Sequence, residues 1–457
     1  VTRTAAEIAS TERGPRELPP LGVQPPAAEL EHVDTVLPNG LRVLAVASRG
    51  VPLVELRLRI PFAKRGASTG DPAYAARAEV LAGTILTGTS NRDRIAMDTD
   101  LALVGGELDA VVDPEKLLIE GSCLAEGLDR LLEVLADALT SASYVPSEVD
   151  NERARLVERL SVAWSQPSII ARAALQRHRY ADHPYALEVP QASDVTAVTG
   201  EDVRAMHAES VLPRGSSLVL VGDFDPAEVT GRLAQALGGW TGEQTAQEMP
   251  PLPELTGGDT ALVHRDGAVQ SQIRLAAQGI ARTDERYAAL QLANMIYGGY
   301  FSSRLVENIR EDKGYTYGAS SRLEFTPAGC SVLVGADTAS EVTAAALLET
   351  RYELARLAIV EPSEAETESV RQYAIGSLLT ARSSQAGLAS QLAALVAVGL
   401  GVEWLSGHQA RLEAVTREQI AEAAAEFFAP SRFTGVVVGD AELLSAKLRV
   451  LGGVVIP

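Results

Sequence analysis

Apolar and polar positions along this chain change period several times, and each change predicts an element. Leu41-Arg-Val-Leu-Ala-Val46 and Val54-Glu-Leu-Arg-Leu-Arg-Ile60 read as two paired strands joined through Ser48-Arg-Gly50. Leu117-Leu-Ile119 continues the sheet. From Asp129 to Leu139 the period lengthens, and Leu131, Leu132, Val134, Leu135 and Leu139 line one face of an amphipathic helix. Glu148 to Trp164 predicts a further helix, closed by Pro167. Later, Ala288 to Tyr297 and Ser303 to Asp312 predict helices divided by Gly298-Gly299, with Gly314 as C-cap of the second. Strands of a mixed or antiparallel sheet with helices packed on one face predict an α+β unit.

That unit is used twice. Pro213-Arg-Gly-Ser-Ser-Leu-Val-Leu-Val-Gly-Asp223 and Pro430-Ser-Arg-Phe-Thr-Gly-Val-Val-Val-Gly-Asp440 share a Pro, a short apolar strand and a Gly-Asp, 217 positions apart (213 to 430). Gly50-Val-Pro-Leu-Val-Glu-Leu-Arg-Leu58 and Gly267-Ala-Val-Gln-Ser-Gln-Ile-Arg-Leu275 repeat the same offset (50 to 267). The division that follows is a disordered Pro-rich segment over 1–30, a domain over 31–240, a linker over 241–259 rich in Gly, Pro, Glu and Gln, and a second domain over 260–457. A chain of 457 residues exceeds one ordinary core, which agrees with two domains.

Composition removes several function classes. With 46% hydrophobic and 22% charged residues the chain reads as a soluble globular protein. A net charge of −20, without a dense Lys/Arg run, argues against a phosphate-tracking surface and so against nucleic acid. No apolar stretch is long enough to span a membrane and residues 1–30 lack an apolar signal-peptide region, so a cytoplasmic location without membrane attachment is the expectation. Cys123 and Cys330 are far apart and form no thiolate metal pair. Of six histidines only His178 and His183 are close, and five positions apart on a helix they diverge rather than converge on a metal. No Gly-x-Ser-x-Gly elbow or Walker A pattern occurs, and neither cysteine has a neighbouring base, which leaves little for an independent enzyme.

One run carries a resemblance. Phe301-Ser-Ser-Arg-Leu-Val-Glu-Asn-Ile-Arg-Glu-Asp-Lys-Gly-Tyr-Thr-Tyr317 resembles the substrate-binding segment of the pitrilysin/insulysin family of zinc peptidases, the inverzincins. The likeness extends from about Val36 to the C-terminus and includes His183-Pro-Tyr185 and the two Val-Gly-Asp strands. In that family an Arg and a Tyr seven positions apart grip the bound peptide, a spacing met here by Arg310 and Tyr317. The resemblance implies that both project from adjacent elements and offer guanidinium and phenolic donors to a peptide carbonyl. The competing reading has Arg310 capping a helix C-terminus while Tyr317 fills a core.

The family's His-x-x-Glu-His motif is missing. Counting back from Gly88-Thr89, Glu79 stands for the first His, Ala82 for the catalytic Glu and Gly83 for the second His, while in the pair Glu158-Arg159, Arg159 stands for the third ligand. These degenerate positions hold no metal set, because alanine and glycine bring no donor and a guanidinium repels zinc. Asp109-Ala110 and Val112 after Gly105-Gly106 depart from the family's Asn-Ala and Thr as well. The resemblance thus implies a non-catalytic, substrate-binding subunit, itself without cofactor. Its heterodimeric partner would be a homologous catalytic chain with intact His-x-x-Glu-His and zinc, acting on peptides or on leader and precursor segments. The alternative is a structural family member of the respiratory-complex core type, with no peptidase role.

Overall fold

The computed structural model describes residue 4, residues 29–62 and residues 71–456. Most of the expected Pro-rich lead-in lies outside the described residues. Two mixed six-stranded sheets organise the rest. The first contains β1 (His32–Val36), β2 (Arg42–Ala47), β3 (Leu53–Pro61), β4 (Glu107–Val112), β5 (Lys116–Leu124) and β6 (Ser217–Gly222), in the order β1-β2-β6-β3-β5-β4. The second contains β7 (Thr260–His264), β8 (Gln270–Gln278), β9 (Thr316–Thr326), β10 (Gly329–Ala339), β11 (Thr434–Gly439) and β12 (Val454–Val455), in the order β12-β7-β11-β8-β10-β9.

The repeat seen in the sequence is also a repeat of register. β3 and β8, and likewise β6 and β11, lie 217 residues apart (53 to 270, 217 to 434). Arg57 faces Val219 across β3 and β6, and Arg274 faces Val436 across β8 and β11, so each partner keeps the same offset. The caps repeat too. A Thr199–Asp202 capping box opens the helix Gly200–Ser210, and a Thr416–Gln419 box opens Arg417–Phe427. The outer strands beside β2 and β7 differ: β1 runs antiparallel to β2, whereas β12 runs parallel to β7.

Period-two alternation explains how both faces of each sheet are used. Val43 and Ala45 of β2, with Leu218 and Leu220 of β6, enter the core made with that half's own helices. Leu44, Val46, Val219 and Val221 point the other way and meet Leu388, Ala389, Leu392 and Leu395 of the helix Gln385–Val396, which belongs to the second half. In return, Ala171 and Leu175 of the helix Pro167–Tyr180 pack on Ala276, Leu333, Val436 and Val438 of the second sheet. Each half therefore covers one face with its own helices and lends one helix to its neighbour. This exchange is why β6 is buried at every position, as a central strand with two covered faces should be.

Residues 241–259 form no helix or strand, yet they are less free than a solvent-exposed connector would be. Ala246 and Leu255 are buried, the Ala246 amide donates to the Arg214 carbonyl at 2.7 Å, and Glu248 accepts two bonds from the buried Arg59 at 3.1 and 3.0 Å. A guanidinium with almost no solvent access needs such a partner, which fastens the segment to the first sheet.

Candidate functional site

The positions that the family resemblance sets against the zinc ligands sit where two helices cross. The helix Pro72–Thr84 starts at Asp71, whose carboxylate accepts from the Ala73 amide, and Pro72 fills the first turn, where no N–H partner is needed. Glu79, Ala82 and Gly83 follow at helical spacing, so they share the face turned to the second helix, Pro146–Ala163. Opposite Gly83 lies Glu152, 5% exposed and so close that a Cβ on Gly83 would stand 2.6 Å from its Cγ. Arg159 donates to one Glu152 oxygen at 2.7 Å, and Arg155 pairs with the other at 3.2 Å.

These residues do not fit a zinc ion. Ala82 brings no ligand, Arg159 is a cation engaged with Glu152, and the Glu152 side chain fills the room in front of Gly83. Among the described residues no group of three or more His, Cys, Asp and Glu gathers closely enough to hold a metal. Glu79 is half-buried, and burial pushes its carboxyl up to about 7, with the Arg159 charge opposing and Glu152 adding. It borders a small cavity of about 40 Å³ together with Tyr74, Asp113, Glu188 and Met249. The sequence reading missed Glu152. A Glu two helical turns before Arg159, on one face, was the signal available.

The candidate histidines have separate structural duties. His178 bonds the Thr434 hydroxyl at 2.7 Å, while His183 accepts from the Tyr185 amide and reaches the Pro250 carbonyl. Tyr185 in turn donates to the buried Glu115. Both cysteines are buried and unpaired, and burial pushes the Cys123 thiol up to about 11 and Cys330 up to about 12, far from thiolate chemistry.

Arg310 and Tyr317 lie on the second half. The helix Tyr287–Asn294 widens into a π turn over Met295–Gly299, so Gly298-Gly299 ends the helix as part of it rather than dividing two helices. A second helix starts at Arg304 and widens again over Glu307–Asp312, which carries Arg310. Such turns are common at functional sites. Gly314, at φ +63°, reverses the chain and returns its amide to the Arg310 carbonyl at 3.1 Å. β9 follows from Thr316 and forms the edge of its sheet. Tyr317 is 99% exposed, which is incompatible with a core role. Arg310 is about one-third exposed; its guanidinium lies 4.7 Å from the Phe301 ring centroid and meets Glu311 at 3.4 Å. The amides of Lys313, Gly314 and Tyr315, which donate to the carbonyls of Asn308, Arg310 and Ile309, satisfy the helix end without the Arg310 side chain.

Comparison with known proteins matches both halves of this arrangement. The profile described as insulinase (peptidase family M16) fits residues 74–192, which hold every degenerate zinc position. The profile described as peptidase M16 inactive domain fits residues 197–373, which hold Arg310 and Tyr317. The chain belongs to the peptidase M16 (insulinase) family. Among its M16 relatives, an uncharacterized zinc protease of Streptomyces coelicolor is 26% identical over 294 residues, a match spanning 63% of this chain and 63% of that protein. A protein of Bacillus subtilis named probable inactive metalloprotease YmfF is 24% identical over 322 residues, 68% of this chain and 72% of the relative. The solved peptidase M16 inactive domain from Pseudomonas fluorescens superposes with a TM-score of 0.81 at 21% identity, covering 90% of this chain and 98% of that one. A solved protease from Helicobacter pylori gives 0.81 at 20% identity, over 90% and 100%. These last two likenesses establish the M16 fold. No helix among the described residues is long and apolar enough to cross a membrane.

Proposed function

We propose that this M16 chain is the substrate-binding, non-catalytic subunit of a two-subunit zinc endopeptidase. Its partner is a homologous chain with intact His-x-x-Glu-His, where the metal would polarise the peptide carbonyl and activate the attacking water. Arg310 and Tyr317 orient an extended peptide lying along a sheet edge of the partner, an orientation role separable from bond breaking. The observation that carries this reading is the contrast between the two sites. The Glu152 side chain, paired with Arg155 and Arg159, occupies the space opposite Gly83, while Tyr317 is almost wholly in solvent and, among the described residues, Arg310 is ion-paired with Glu311 alone, at 3.4 Å. One relative is itself named probable inactive metalloprotease, which agrees with this reading. Peptides, including leader or precursor segments, are the proposed substrates.

The test is metal content and peptide hydrolysis, measured on the purified chain and on its mixture with an M16 chain encoded beside it that retains the zinc motif. The expected result is no stoichiometric zinc and no cleavage by this chain alone, with cleavage appearing in the mixture. One zinc per chain, or chelator-sensitive cleavage without a partner, would overturn the proposal.

A further inference from the structure

We infer that Phe301 is a positioning residue for Arg310, holding its guanidinium in the orientation that meets the peptide; this rests on the proposed clamp. Phe301 is 62% exposed, so packing in a core does not account for where its ring sits. The Arg310 guanidinium carbon stands 4.7 Å from that ring's centroid, within the range of a cation–π contact. A contact with the ring face uses no lone-pair acceptor and so does not tie up the guanidinium's N–H donors as a carboxylate partner would. Among the described residues, Glu311 is the one carboxylate paired with Arg310, and it meets only Nε, at 3.4 Å.

The backbone fixes this arrangement. Phe301 follows the π turn Met295–Gly299, whose last two glycines admit no side chain. A Cβ on Gly298 would stand 2.9 Å from the Ser321 amide nitrogen, and one on Gly299 would stand 2.9 Å from Asn294 Nδ2. Ser321 belongs to β9 and donates to Asn294 Oδ1 at 2.8 Å. The turn presenting Phe301 is thereby tied to the strand that begins beside Tyr317. Phe301, presented beside that turn, sets the aim of Arg310.

Two variants separate the ring's π face from its bulk: Phe301→Leu removes the face and keeps the apolar body, whereas Phe301→Trp keeps both. In the isolated chain labelled with ¹⁵N, the Arg310 Nε–H resonance, assigned by its loss in Arg310→Lys, should be displaced by the ring current. The displacement should persist in the Trp variant and vanish in the Leu variant. In the assembled pair cleaving a fluorogenic peptide, Phe301→Leu should lower kcat/KM by about 2- to 30-fold. Phe301→Trp should keep it, and Phe301→Leu should add nothing on top of Arg310→Ala. A resonance indifferent to the Leu change overturns the inference, as does full activity of Phe301→Leu where Arg310→Ala is impaired; both leave the clamp standing. A silent Arg310→Ala defeats the clamp and this inference together.

Discussion

In the first half, the helix Pro72–Thr84 turns Ala82 and Gly83 toward a buried Glu152 that Arg155 and Arg159 neutralise. In the second half, on an equivalent sheet, the segment Phe301–Tyr317 sends Arg310 and Tyr317 outward, with an aromatic face as the main company for the guanidinium. One region engages its side chains in contacts within the fold. The other keeps polar groups that the fold does not use. Side chains engaged in the fold should register in stability when changed, and idle ones should register only in function.

The sharpest form of this comparison lies within one short stretch. Arg304 and Arg310 are six residues apart, yet Arg304 is 5% exposed and makes a bidentate pair with Glu366 at 2.8 and 3.1 Å. Arg304→Ala should cost roughly 2–4 kcal/mol in thermal or urea unfolding, because it strands a partly buried carboxylate. Burial alone would raise Glu366, but Arg304 and the Ser363 amide hold it down to about 2. Its stabilisation is therefore present above its ordinary value of 4.5 and lost as pH falls toward 2, so the gap between wild type and variant should narrow below pH 4.5. A gap that stays constant with pH would contradict this assignment.

Glu79 should behave in the opposite sense. Burial raises its carboxyl from 4.5 to about 7 against the opposing Arg159 charge, with Glu152, Asp113 and Glu188 adding to the rise. A group whose folded value is raised contributes stability that is full below 4.5 and lost as pH climbs through 7. Glu79→Gln cannot ionise, so it should gain on wild type by roughly 1–3 kcal/mol across that interval. Melting curves at pH 4, 5.5 and 7.5 decide it; parallel wild-type and variant profiles would refute the shifted carboxyl.

Much of the fold could be read from the chain because the signals were periodic and doubled. Strand alternation and the 217-residue offset anticipate two tandem α+β units, and β3, β6, β8 and β11 keep that offset in the structure. The helix exchange was not legible: the apolar stripes of Pro167–Tyr180 and Gln385–Val396 say that each helix is buried, not against which sheet. The π turns escaped for a similar reason, since a widened turn keeps nearly the same apolar spacing as an ordinary one. At the zinc positions, missing donors were evident from residue types alone. That Glu152 now occupies the space opposite Gly83 required coordinates, because glycine records only the absence of a side chain.

Crowding at that point gives a smaller effect. Gly83→Ala gains up to about 1 kcal/mol in helix propensity but places a Cβ against Glu152, a carboxylate anchored by two arginines. The crowding should win, for a net loss of about 1–2 kcal/mol. A Gly83→Ala chain more stable than wild type would show that Glu152 moves freely and that the site is less filled than described. The smallest stability effects belong to the clamp: Arg310→Ala and Tyr317→Phe should each lie within about 0.5 kcal/mol of wild type in the same unfolding assay.

Peptide cleavage by the assembled pair, run beside melting temperatures for each variant, tests the central claim most directly. Arg310→Ala and Tyr317→Phe should each lower turnover by roughly 5- to 150-fold, the loss of one or two hydrogen bonds to substrate, with melting unchanged. The double variant should lose less than the two single losses combined, since both donors hold one short stretch of peptide. Wild-type cleavage by the double variant, or cleavage that falls only in step with melting temperature, would contradict the account.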